Sequence, residues 1–136
     1  TNQFKLNQKL YNVKEIYKNK SLCIFYKDKF QDYGNIGLII YKFKDKKLEI
    51  LNWVMSCRVF SRRLEHFIFL EMIKIAKKKK CKCIGFEFEP TKRNIYLQDF
   101  LKETGYIQSN ITKKSVLTKD LLQIKFDKKP FIKKFN

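Results

Sequence analysis

Phe60, Leu64, Phe67, Ile68, Met72 and Ile75 recur at steps of three and four residues. That period places them on one face of a helix of about five turns over residues 61–80. The stretches before it have a different character. Residues 21–30, 36–43 and 48–56 are rich in aromatic and β-branched side chains, and short polar turns at 31–35 and 44–47 separate them. They read as three consecutive strands of an antiparallel meander. A helix with one apolar stripe beside such strands must bury that stripe against the sheet, which gives an α/β class.

The flanks extend this pattern. Residues 1–11 can supply a first strand, and Asn12 is a candidate N-cap for a short helix over 13–19 with Glu15 at its positive end. Lys77 to Lys80 suit the negative end of the long helix. Residues 81–88 read as a strand stopped by Pro90. Thr91, Lys92, Arg93 and Asn94 lead into a second amphipathic helix with the stripe Ile95, Leu97, Phe100 and Leu101, and Gly105 is its natural C′ residue. Two weaker strands are expected around 107–112 and 115–126. The order is β-α-β-β-β-α-β-α-β-β, a mixed, mostly antiparallel sheet flanked by helices. The 136 residues suffice for a single domain, 1–136.

The formal net charge is +18. A polyanionic partner would explain it. So would an AT-rich coding sequence, because 27 of the 31 basic residues are Lys and Ala occurs once. The four arginines, Arg58, Arg62, Arg63 and Arg93, are therefore more informative than the lysines. The lysines are spread over every segment, which argues against a dedicated nucleic-acid face. Cys23, Cys57, Cys81 and Cys83 form no CxxC, and His66 is the only His, so a structural zinc site is not expected and no metal is assigned. Free thiols suit a cytoplasmic protein. No apolar run approaches the ~18 residues of a membrane span. The start, Thr1-Asn2-Gln3, carries no Met and no signal pattern, so we expect a domain cut from a longer chain or one with its first residues removed.

This element order is the one found in GNAT acyltransferases, and three stretches resemble the C-terminal domain of FkbH-like proteins. Asp32-Tyr33-Gly34-Asn35-Ile36-Gly37 is similar to the family's FGDYGxIG. Met55 to Glu65, MSCRVFSRRLE, is similar to MSCRxxxRxxE. Glu87-Phe88-Glu89-Pro90-Thr91-Lys92-Arg93-Asn94, continued by Asp99-Phe100 and Gly105-Tyr106, is similar to EYxPTxKN…DFY…GF. In FkbH-like proteins this domain accompanies a haloacid-dehalogenase-type domain, in the same or a partner chain. The pair is associated with loading a glyceryl unit onto an acyl carrier protein. The resemblance implies an acyltransferase-type domain acting with coenzyme A or a phosphopantetheine thioester, none of it bound covalently, and with an acyl carrier protein as partner. The alternative is a catalytically inactive module that docks the carrier or the partner domain. No dehalogenase-type aspartates accompany these stretches, so no phosphatase activity is implied for them.

In GNAT proteins the turn between the fourth strand and the long helix holds the pyrophosphate of coenzyme A, through backbone N–H groups and the helix N-terminus. The usual pattern is Q/R-x-x-G-x-G/A. The corresponding residues here are Arg58-Val59-Phe60-Ser61-Arg62-Arg63, with Ser61 and Arg63 in place of the glycines. Ser61 could cap the helix. Arg62 and Arg63 could grip phosphate with side-chain forks, or block it. The resemblance thus places cosubstrate binding on Met55, Ser56, Arg58, Ser61, Arg62, Arg63 and Asn94, with Asn94 also an N-cap candidate. The family's acid is a Tyr four residues before the Gly of the GF pair; that position is Leu101, and Tyr96 lies more than a turn away. Base candidates are Glu49 on the fourth strand and Glu87, with Glu89, on the fifth. Cys57, at the end of the fourth strand, is a candidate nucleophile for transient thioester formation. Each also has an ordinary alternative: a small buried Cys, a solvated strand face. His66 reads as a structural residue on a helix flank.

Overall fold

The structure is a computed structural model that describes residues 3–108 and 111–124. Its elements are β1 (Phe4–Lys5), α1 (Val13–Lys18), β2 (Lys20–Lys27), β3 (Asp32–Lys44), β4 (Lys47–Met55), α2 (Leu64–Lys78), β5 (Cys83–Phe88), α3 (Ile95–Glu103) and β6 (Ser115–Asp120). Lys47–Met55, the most deeply buried strand, sits in the middle of a six-stranded sheet ordered β2-β3-β4-β5-β6, with β1 paired to β4. β4 and β5 are parallel, joined through α2, and the other pairs are antiparallel.

The core lies on one face of the sheet. Leu48, Ile50, Trp53 and Met55 of β4 and Ile84, Phe86 and Phe88 of β5 are buried there beneath Leu64, Ile68, Phe69, Met72, Ile73 and Ala76 of α2 and Leu97, Phe100 and Leu101 of α3. Aromatic rings hold its centre: Trp53 meets Phe4 edge-on at 4.9 Å and Phe100 at 5.6 Å. Each such fully buried side chain contributes about 1.5–3 kcal/mol. Tyr106 secures the end of α3 to the sheet by donating its hydroxyl to Ile84 O at 3.0 Å. On the other face, α1 buries none of its residues.

Several expected boundaries move. The first strand shrinks to Phe4–Lys5. Residues 32–35 of the expected turn belong to β3. The reversal occurs at residues 28–31, where the Asp28 carboxylate accepts from the N–H groups of Phe30 and Gln31. α2 starts at Leu64 rather than residue 61, because a 3₁₀ turn, Cys57–Val59, and a left-handed turn precede it. Its buried arc is also broader than the expected stripe: Phe69, Ile73 and Ala76 are in the core, whereas Phe67 and Ile75 are half-buried. Among the described residues no strand forms at 107–112; the Ile107 N–H instead bonds Leu101 O at the end of α3. β6 stops at Asp120 in a 3₁₀ turn, and Phe126 lies outside the described residues.

One irregularity shapes the middle of the sheet. Tyr41 pairs with Ile50 and Ile40 with Asn52, so Leu51 is an extra residue in β4. Such a bulge bends its strand. β4 pairs with β5 only from Lys47/Cys83 to Ile50/Phe86, and beyond the bulge the two part. Residues 4–7 fill the gap. Phe4 and Lys5 pair with Met55 and Val54, and Asn7 Nδ2 donates to Leu51 O on one side and Glu87 O on the other, 2.7 Å each.

Candidate functional site

The MSCRVFSRRLE stretch follows β4 out of the core and turns into α2. Met55 is buried with its side chain against Gly37, so it can offer a ligand only backbone. Ser56 caps the 3₁₀ turn: its Oγ accepts from Arg58 N at 3.3 Å and from Arg58 Nε at 3.1 Å. Cys57, the first residue of that turn, is exposed.

The next residues carry the conformational signal. Ser61 has φ 70° and Arg63 has φ 58°. These are the two positions at which the resembled pattern has glycine. The loop therefore adopts the left-handed geometry with side chains present, at a cost of ~1–2 kcal/mol per residue. Ser61 does not cap α2 as expected. Arg63 occupies the cap position, and its side chain makes no cap bond to the first turn. The Ser61 N–H donates to Tyr96 Oη at 3.0 Å, and the Tyr96 ring stacks on Phe60 at 3.9 Å and 7°. Tyr96 thus stands as a strut between α3 and the loop.

The arginines divide. Arg62 serves the loop itself: Nη1 donates to Arg58 O at 3.1 Å, Nη2 donates to Tyr33 Oη at 2.9 Å, and the guanidinium lies 5.1 Å from the Tyr33 ring centre. Arg63 faces Glu103, with Nη1 3.9 Å from its Oε1. The expected forks of Arg62 and Arg63 are therefore engaged within the protein. Arg58 is exposed, held at Ser56 and at Tyr33 O (3.3 Å). It is the best placed of the loop arginines to meet an anion.

Behind the loop lies a polar seam that periodicity did not reveal. Glu65 and His66, at the start of α2, are 4% and 3% exposed. Tyr96 Oη donates to Glu65 Oε1 at 3.2 Å. His66 Nδ1 is 3.2 Å from the same oxygen, and His66 Nε2 is 2.9 Å from Glu103 Oε2. Tyr96 and Glu103 are two turns apart on α3, which brings both onto the side facing α2. Burial alone would lower the His66 pKa; the hydrogen bonds and charges of Glu65 and Glu103 outweigh it and leave the pKa raised. Burial raises the Tyr96 pKa, helped by Glu65 and opposed by the Ser61 N–H.

The remaining candidates lie elsewhere. Asn94 is fully buried and makes no N-cap bond. Its Oδ1 accepts from Thr91 N and Gln98 Nε2, and its Nδ2 donates to Lys5 O and Glu89 O, so it joins β1 to the end of β5 instead of meeting a ligand. Glu49, Gly85 and Glu87 share the face of the sheet opposite the core. Glu49 is paired with Lys42 at 3.5 Å and Lys47 at 3.9 Å. It is six residues from the end of β4, about 20 Å from the loop. Glu87 lies near Tyr11, whose pKa is pushed up to about 12 by burial and by the charges of Glu87 and Glu15. Glu89 accepts from Gln8 N at 2.9 Å.

No family model matches the chain, and no curated protein matches it by sequence. Solved structures do resemble it. The PaiA N-acetyltransferase of Thermoplasma acidophilum, in complex with coenzyme A, is 18% identical with a TM-score of 0.52; the match covers 64% of this chain and 54% of that one, about half its length. A protein of Lactobacillus plantarum assigned as an N-acetyltransferase is 10% identical with a TM-score of 0.56, over 82% of this chain and 75% of that one. Tetrahymena GCN5 is 14% identical with a TM-score of 0.50, over 74% of this chain and 67% of that one. The mixed sheet, the parallel β4–α2–β5 unit and these likenesses agree: the chain has the GNAT acetyltransferase fold.

Proposed function

We propose that this domain acts on acyl thioesters carried by coenzyme A or a phosphopantetheine arm, as an acyltransferase of the FkbH-like kind working with an acyl carrier protein. The observation that carries this reading is the loop at residues 56–63. Its two left-handed residues, Ser61 and Arg63, lead into the start of α2, where the cap residue makes no side-chain cap bond, and Arg58 stands exposed beside it. Backbone N–H groups, helix dipole and guanidinium all favour a phosphate there. Cys57 is the nucleophile of this reading. Its thiolate attacks the thioester carbonyl, a new acyl–sulfur bond forms, and the arm leaves as a thiol with the proton that Cys57 gave up. Tyr96, whose hydroxyl meets the loop, takes the place that Leu101 leaves empty and relays that proton: it gives its own to the leaving sulfur and takes up the one Cys57 releases. The net charge of +18 suits an acidic carrier, with an attraction that weakens as salt rises. Calorimetry with coenzyme A, acetyl-coenzyme A and a holo carrier protein tests the reading; absence of heat with all three rejects it.

A second reading has its own observation. The gap between β4 and β5 is filled by residues 4–7, which favours a module that docks a carrier protein or a partner domain without catalysis. Turnover of an acyl thioester separates the two; binding without turnover selects the second.

A further inference from the structure

Ligands of α/β sheets enter beyond the carboxyl ends of parallel strands. Here the parallel pair is β4 and β5, and the loop at residues 56–63 stands just past the end of β4. An arm attached to a phosphate at that loop and running into the protein meets the gap between these strands first. A pantetheine arm contains two amides, which need backbone partners of the kind a strand edge offers. The edge of β4 facing the gap offers the carbonyls of Leu51 and Trp53, and both are taken. Leu6 N donates to Trp53 O at 3.1 Å, and Asn7 Nδ2 donates to Leu51 O at 2.7 Å. On the opposite wall Glu89 N donates to Leu6 O at 2.9 Å, and Asn7 Nδ2 also donates to Glu87 O. Phe4 and Leu6 are 0% exposed, so the segment is seated in the core as well as hydrogen-bonded.

Given the loop reading above, we propose that residues 4–7 are an internal occupant of the slot that the arm of a loop-bound thioester requires. In the resting domain the loop holds the phosphate end of its ligand while the arm stays outside, and the arm enters only when this segment yields. Asn7 is the positioning residue. Both hydrogens of its amide nitrogen are used to tie the two walls of the gap together, so it decides how readily the segment leaves.

The experiment compares two probes by calorimetry: 3′-phosphoadenosine 5′-diphosphate (the pyrophosphate probe), which is coenzyme A without its arm, and coenzyme A, which adds the arm. Three proteins are used. They are the wild-type chain, Asn7→Ala, and a lock in which Lys5→Cys and Val54→Cys are joined by oxidation. Lys5 and Val54 are direct partners across β1 and β4, a spacing that suits a disulfide. In the oxidised lock, coenzyme A should bind no more than threefold tighter than pyrophosphate. Asn7→Ala should tighten coenzyme A more than threefold and leave pyrophosphate unchanged, while the amides of residues 4–8 exchange faster. Coenzyme A binding more than threefold tighter than pyrophosphate in the oxidised lock overturns the inference. So does an unchanged coenzyme A affinity in Asn7→Ala once its amides exchange faster. Should Asn7→Ala not fold, the lock decides alone. If pyrophosphate binds none of the three proteins, the loop reading falls and takes this inference with it; if pyrophosphate binds but the arm-dependent results fail, only this inference falls.

Discussion

Below pH 6.5, where a raised pKa keeps His66 protonated, replacing it by Gln removes the cation nearest a buried carboxylate. Glu65 is 4% exposed and its Oε1 has two close neighbours, Tyr96 Oη and His66 Nδ1, each at 3.2 Å. The variant leaves this carboxylate without its charged partner, and breaking a buried pair from one side costs about 3–5 kcal/mol. The other half of the bridge adds little, because the Glu103 side chain is 44% exposed. We therefore take the low end, ~3 kcal/mol, and an unfolding entropy of ~2.1 cal/mol/K per residue over 136 residues turns it into a drop of ~10 °C in Tm. The pH dependence has a definite sign. The folded pKa of His66 is raised above 6.5, so the stabilisation is complete below pH 6.5 and is lost as pH rises through the folded value. Thermal and urea melts at pH 6 and pH 8 should show the wild type losing stability with rising pH and His66→Gln losing less. Adding Glu65→Gln removes the stranded charge while keeping an acceptor for Tyr96, so the double variant should recover most of the loss. A double variant no more stable than His66→Gln, or a single-variant cost under ~1 kcal/mol, refutes the idea of a buried charge pair.

Three other substitutions probe the sheet and the loop. Ser61→Gly relieves a left-handed residue, and the ~1–2 kcal/mol of strain less ~0.5–1 kcal/mol of glycine entropy should leave a net stabilisation of up to ~1.5 kcal/mol in urea melts. Gly37→Ala puts a methyl group 2.8 Å from Val54 O and 3.2 Å from Met55 Cγ. A ladder carbonyl cannot move aside cheaply, and the variant should lose ~1–3 kcal/mol by the same measurement. Cys57→Ser should abolish an acyl adduct detected by intact-protein mass spectrometry after incubation with acetyl-coenzyme A or an acyl carrier; an adduct that persists assigns the nucleophile to another residue.

The strands and helices were legible because their apolar periods are strong, and α2 and α3 appear where stripes of three and four were found. What the periods could not show is irregularity. A bulge such as that at Leu51 leaves the composition of a strand unchanged, yet it opens the gap between β4 and β5. Ser61 and Arg63 gave the location of the loop by spacing, but their residue types argued against the left-handed geometry they adopt. His66 reads as a structural residue on a helix flank, but nothing in the period shows that it and Glu65 are buried as a pair. They are buried because α3 offers Tyr96 and Glu103 as partners, and those contacts lie 31 and 37 residues away in sequence. Asn94 shows the reverse: its place before α3 suited a cap, but the free end of β5 and the carbonyl of Lys5 make stronger claims on its amide.

The seating of β1 also orders events while the chain is being made. Asn7 bonds partners 44 and 80 residues further along, and the Lys5 carbonyl waits for Asn94, 89 residues on. At ~5–20 residues per second, the ribosome needs ~4–16 s to make 80 residues. Contacts so distant in sequence form late. Phe4 and Leu6 therefore spend those seconds as bare apolar side chains, and a holdase that recognises short apolar peptides has its best opportunity on this domain at its first strand.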